Sequence, residues 1–189
     1  MKTRLLGMIT GDLARYVGLD KSTRALLCID YAHHEIHGGS AYTVSQKTAV
    51  NAFDITSPMT FHITTPNTAK YAHIIILGEA NTPAYWELFE DNGVAANFNI
   101  SSGSSVTPKN RNRNSSKTSK LTIKSGVTVT QATTDVLIDV EAIAKSAGGG
   151  ERHEWVLKAN TEYLVRATSY TDNNEGSLTL DWYEHTNKD

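Results

Sequence analysis

After Gly38-Gly39 the chain falls into short runs in which apolar and polar residues alternate, and this pattern constrains the fold more than any other. Phe61 and Ile63 alternate with Thr60, His62 and Thr64, and Val127 and Val129 with Thr128 and Thr130. Tyr163, Val165 and Ala167 alternate with Glu162 and Arg166, and Leu178, Leu180 and Trp182 with Thr179, Asp181 and Tyr183. Successive side chains of a strand point to opposite faces, so a period of two with one apolar face marks antiparallel strands covered on one side. Many such strands between turn signals indicate a sandwich or barrel. Plentiful Ser, Thr and Asn with only 4 prolines suit polar strand faces better than a helical bundle.

Two runs depart from the alternation. Ile74-Ile75-Ile76-Leu77 is apolar on both faces, and Tyr85-Trp86-Glu87-Leu88-Phe89 carries large apolar groups on both. Such strands need a cover on their outer side, from a loop, an arm or another subunit. Ile75, Tyr85 and Phe89 are the candidates for a subunit interface. The segment 135–146 fits a strand through Val136, Ile138 and Val140 and a helix through Val136, Val140 and Ile143; the strand is preferred. Ser146-Ala147-Gly148-Gly149-Gly150 then ends it as a loop.

Residues 1–24 read as an N-terminal arm without sustained period, with room for a short helix around Leu13–Val17. They carry Lys2, Arg4, Arg15, Lys21 and Arg24 against Asp12 and Asp20. The apolar stretch Leu5–Ile9 is too short for a signal peptide and no small-x-small site follows, so folding in the cytosol is expected. The lone Cys28, set in Ala25-Leu26-Leu27, fits that compartment as a buried thiol and excludes a disulfide framework. No apolar run approaches the length of a membrane-spanning helix.

Charge is distributed unevenly. The formal net charge is -2, yet Val94 to Thr134 holds no Asp or Glu and contains Lys109, Arg111, Arg113, Lys117, Lys120 and Lys124. Its centre, Asn110-Arg111-Asn112-Arg113-Asn114-Ser115-Ser116, has no apolar side chain to bury. Two readings stay open: a solvated hairpin loop, or a cationic surface whose guanidinium groups pair with carboxylates of a neighbouring protein. Nucleic-acid binding is disfavoured because no aromatics are interleaved for base stacking.

Candidate chemistry is sparse. Asp30-Tyr31-Ala32-His33-His34-Glu35-Ile36-His37 is the densest titratable cluster, and His33 and His37 are weak candidates for metal ligands. It is not HExxH; in a strand, His33, Glu35 and His37 would share one face, and a polar junction between arm and sandwich is the plainer account. Glu79, Glu87, Glu90 and Asp91 could supply a glycosidase pair, but no flanking pattern supports one. No GxSxG, Walker loop or GxGxxG is present, so no catalytic residue and no cofactor is assigned. Trp86, Trp155 and Trp182 could build a sugar platform, though alternation puts Trp86 and Trp182 on apolar faces.

The order of blocks carries a resemblance: His33-His34-Glu35-Ile36-His37-Gly38-Gly39, then Asn110-Arg111-Asn112-Arg113-Asn114-Ser115, then Glu154–Arg166 with its Leu157-Lys158-Ala159-Asn160-Thr161-Glu162-Tyr163-Leu164-Val165-Arg166, then Asp181-Trp182-Tyr183-Glu184. Over about residues 25–184 the chain resembles the head decoration, or capsid cement, proteins of tailed bacteriophages. The resemblance implies a non-enzymatic β-sandwich that sits on the outer surface of the virion capsid after synthesis in the host cytoplasm. It implies the major capsid protein as partner and self-association, commonly as a homotrimer. Together with the residue pattern, the expectation is an all-β, jelly-roll-like antiparallel β-sandwich over 25–189 with an extended N-terminal arm over 1–24. No nucleic acid, membrane or cofactor takes part in this reading. Lys2, Arg4, Arg15, Arg111 and Arg113 are the capsid-contact candidates on physical grounds. The alternative is a glycan-binding module of a phage fibre or baseplate.

Overall fold

The computed structural model describes residues 6–7, 15–16, 31–91, 98–100, 102–131, 136–143 and 153–186. Lys2, Arg4, Cys28, the Gly148–Gly150 loop and most of the arm lie outside the described residues. Within residues 1–24, β1 (Leu6–Gly7) pairs antiparallel with β2 (Arg15–Tyr16), Gly7 opposite Arg15. Strand pairing therefore replaces the short helix at those two positions.

One sheet has the order β12 (Val136–Ile143), β6 (Ala84–Glu90), β14 (Glu162–Ser169), β4 (Met59–Thr64), β10 (Thr122–Ser125), β8 (Ser104–Val106). The other has the order β13 (Glu154–Val156), β5 (Lys70–Ala80), β15 (Gly176–Thr186), β3 (Ala41–Lys47), β9 (Lys109–Asn110). A separate pair joins β7 (Phe98–Ile100) to β11 (Val129–Gln131). All these pairings are antiparallel.

Setting aside the strands of the 98–131 insertion leaves two four-stranded sheets, β12-β6-β14-β4 and β13-β5-β15-β3. Along the chain the strands alternate between them as β3, β4, β5, β6, then β12, β13, β14, β15. This interleaving of two Greek keys defines a jelly-roll sandwich. The insertion enters between β6 and β12 and places β8 with β10 beside β4, and β9 beside β3. It therefore lines one edge of the sandwich, opposite β12 and β13.

The alternation works as expected on the inner faces. Met59, Phe61 and Ile63 of β4, Trp86 and Leu88 of β6, and Tyr163, Val165 and Ala167 of β14 meet Ile74, Ile76, Leu178, Leu180 and Trp182 from the other sheet in one core. Aromatic and branched side chains fill both pleated surfaces, and their burial drives the sheets together.

The outer faces are less simple. Thr60 and His62 point outward yet are buried, and over Thr60 the chain folds back after β10: Gly126 N–H donates to Thr60 O at 3.1 Å, and Thr60 Oγ1 donates to Val127 O at 2.9 Å. Val127 then packs with Phe89 and Leu164 as a second small cluster. Phe89, proposed above for a subunit interface, is 3% exposed and covered by its own chain. The guanidinium of Arg166 lies 5.0 Å from the Phe89 ring centroid and pairs with Glu87 at 2.9 Å. Ile75 is also buried, on the side of β5 opposite the core residues Ile74 and Ile76. Of the three interface candidates, Tyr85 keeps part of its surface; its ring lies 5.0 Å from that of Tyr170.

At the far edge, β12 forms as a strand, but with a register shift between Leu137 and Asp139. The shift puts Asp139 opposite the core residue Leu88 and Val140 opposite the outward Glu87, so Ile138 and Val140 do not share a face. Asp139 Oδ2 thereby accepts from Trp155 Nε1 at 3.0 Å and faces His153 Nδ1 at 3.3 Å, tying β12 to the neighbouring edge strand β13.

Candidate functional site

Two blocks far apart in sequence meet at the insertion edge. Residues 31–38 form the helix α1 (Tyr31–Gly38), not a strand, so His33 and His37 share a face while Glu35 is turned away and buried. The helix stops because Gly39 adopts φ 71°, a left-handed conformation open to glycine. Gly39 N–H donates to Ile36 O at 3.0 Å and Ser40 N–H to Glu35 O at 2.9 Å, the paired bonds of a Schellman end.

The Asn-Arg alternation then has a structural explanation. Buried Asn110 donates from Nδ2 to Gly39 O at 2.9 Å and to Lys117 O at 3.0 Å, while its Oδ1 accepts from Asn112 N at 2.9 Å. Asn112 donates to His37 O at 3.1 Å and accepts from Asn114 N at 3.1 Å. Ser115 Oγ accepts from Lys117 N at 3.2 Å, and Lys117 Nζ donates to Gly38 O at 2.8 Å, at the negative end of the helix. Asn110 and Asn112 each close a tight turn on their own backbone and fasten the loop to the end of α1. The intervening arginines are left outside: Arg113 is exposed, and Arg111 reaches Asp181 of β15 at 3.4 Å with 36% of its side chain exposed.

A buried carboxylate anchors the far end of this loop. Glu184 accepts from Ser119 Oγ at 2.6 Å, from Lys120 N at 3.0 Å and from Trp182 Nε1 at 3.1 Å. Burial, and secondarily the Glu184 charge, push the Tyr42 phenol up to about 12. The result is a braced projection that presents Lys109, Arg113, Lys117 and Lys120 to solvent beside a half-exposed Arg111.

The other candidate residues are not assembled into a site. Glu87 and Glu90 stand three apart on β6 and so face opposite sides; Glu87 pairs with Arg166, and Glu90 pairs with Lys158 and accepts from Tyr163 Oη at 3.0 Å. Glu79 lies in the other sheet, so these carboxylates do not flank one bond. Trp86 and Trp182 are in the core, and Trp155 is half-buried with its N–H on Asp139. On the outer face of the second sheet, His73 stacks on Tyr183 at 4.7 Å and on His185 at 4.5 Å, with Glu154 contacting both His73 and the Tyr183 hydroxyl. Among the described residues no group of three or more His, Cys, Asp or Glu is placed to hold a metal, and no helix is long and apolar enough to cross a membrane.

Sequence reasoning singled out Arg111 and Arg113 and missed Asn110, Asn112 and Glu184, which hold the loop that carries them, and Asp181, which pairs with Arg111. The available signal was the asparagine at every second position, a turn former with a backbone partner nearby. No family model, no curated protein and no solved structure matches this chain.

Proposed function

We propose that the protein is a non-enzymatic structural protein that decorates the outer surface of a tailed-phage capsid and stiffens it by bridging major capsid subunits. The observation that carries the reading is the braced, acid-free projection at residues 109–120 on a jelly-roll body. Asparagines pin its backbone, so little loop entropy is lost when its cations meet carboxylates on a shell. The resemblance of the His33–Gly39, Asn110–Ser115 and Glu154–Arg166 blocks to head decoration proteins supports the same reading. Self-association as a trimer would let each copy touch several shell subunits, so weak contacts add through effective concentration.

The test is cosedimentation of purified protein with expanded and unexpanded phage shells. Saturable binding to expanded shells, weakened by Arg113→Glu and more by Arg111→Glu with Arg113→Glu, is the expected result. Removal of residues 1–24 is expected to leave a folded domain that binds shells less well. Failure to sediment with any shell would refute the proposal. One observation favours a second reading as a glycan-binding module: Tyr170 is 58% exposed and leans on Tyr85 at the end of the first sheet. Specific binding on a glycan array that Tyr170→Ala abolishes would favour that module.

A further inference from the structure

We propose that His33 and His37 form a two-imidazole site for a divalent transition ion of the Ni2+, Cu2+ or Zn2+ type on the exposed face of α1. Residues four apart on a helix lie one above the other. Here the two Nε2 atoms are 3.0 Å apart and the ring planes cross at 72°. Two nitrogens bound at about 2.0–2.1 Å to one ion stand about 2.9 Å apart at a right angle and about 3.3 Å apart at the tetrahedral angle. The observed spacing falls within that interval, so chelation asks for small ring rotations and no backbone movement. In the ion-free protein one Nε2–H donates to the other Nε2. The ion takes the place of that proton, which passes through solvent to Nδ1 of the same ring.

The donor set defines the class of ion. Two imidazoles suit Ni2+, Cu2+ and Zn2+, whereas Mg2+ and Ca2+ take oxygen ligands. Glu35 does not join them, since it is turned into the protein. No third His, Cys, Asp or Glu completes the site among the described residues, so the pair is proposed as a two-ligand chelate. The helix end is already held by Gly39, Asn112 and Lys117, so binding orders little that is not ordered.

The experiment is calorimetric titration of the full chain with NiCl2, with MgCl2 as control. Wild-type protein is expected to bind Ni2+ and not Mg2+. His33→Gln and His37→Gln are each expected to weaken the strongest Ni2+ site at least about tenfold by removing one arm of the chelate, and His34→Gln to change it less than about twofold. Both chelate positions are exposed, and unchanged thermal unfolding of the ion-free variants checks that they fold. Absence of Ni2+ binding by the folded wild type, or binding unaltered by both substitutions, would overturn the proposal.

Discussion

Replacing Asn110 by Ala removes the side chain that joins three stretches of backbone. Two carbonyls, of Gly39 and Lys117, lose a donor, and the N–H of Asn112 loses its acceptor. Each such bond contributes about 0.5–1.5 kcal/mol net, more where the abandoned group stays out of water. The three together predict a loss of about 2–4 kcal/mol. For a domain of this size, 1 kcal/mol moves Tm by about 2–4 °C, so Asn110→Ala should lower it by roughly 5–15 °C. Scanning calorimetry measures the shift. Tryptic cleavage after Arg111 or Arg113 in the native protein should also accelerate, because the loop loses its hold on α1. Arg113→Ala serves as control and should leave Tm within about 1 °C, since an exposed side chain carries little stability. If Asn110→Ala melts with the parent and is cut no faster, the asparagines do not brace the projection.

Gly39→Ala should destabilise by about 2–4 kcal/mol, through the left-handed backbone and through a Cβ placed 2.7 Å from Ser115 Cβ. Adding Ser115→Gly should return part of the lost Tm; no recovery would mean the clash is not felt. His62 is held below its ordinary 6.5 chiefly by burial, with Lys124 acting in the same direction and Glu162, at 3.0 Å, opposing it. The unfolded chain therefore takes up this proton first, so stability should fall as pH drops below 6.5 toward the folded-state value. His62→Gln should flatten that part of a Tm-against-pH curve, and an unaltered slope would assign the acid sensitivity elsewhere. Tyr163→Phe removes a hydroxyl that accepts from Lys158 N at 2.8 Å and donates to Glu90, and urea unfolding should register a loss of about 1–3 kcal/mol. A neutral result there would show that water replaces the phenol without cost.

The core-facing half of the sandwich was legible because the pleat alone decides it. Phe61, Ile63, Tyr163, Val165, Leu178, Leu180 and Trp182 read as inward from spacing, and all are buried in one core. The two-faced run at 85–89 called for a cover and was assigned to a subunit interface; Val127 of the same chain packs on Phe89, a contact the run itself does not reveal. Helix α1 was not legible: eight residues carrying His33, His34, Glu35 and His37 offer no apolar stripe of helical period. The β12 register shift was equally silent, since the run around Val140 reads as regular until its partner β6 is known.

The chain by itself determined the regularly alternating core strands, their inward faces and the acid-free character of residues 94–134, because these depend on neighbours one or two positions away. Tertiary structure decided what that basic stretch becomes. Its bonds to α1 run from Asn110 to Gly39 and from Asn112 to His37, across 71 and 75 residues, and Glu184 reaches Ser119 across 65. Local pattern carries no record of such pairings. They exist because the jelly-roll connection returns the insertion to the edge beside β3 and β4, where the open end of a helix offers carbonyls to asparagine side chains.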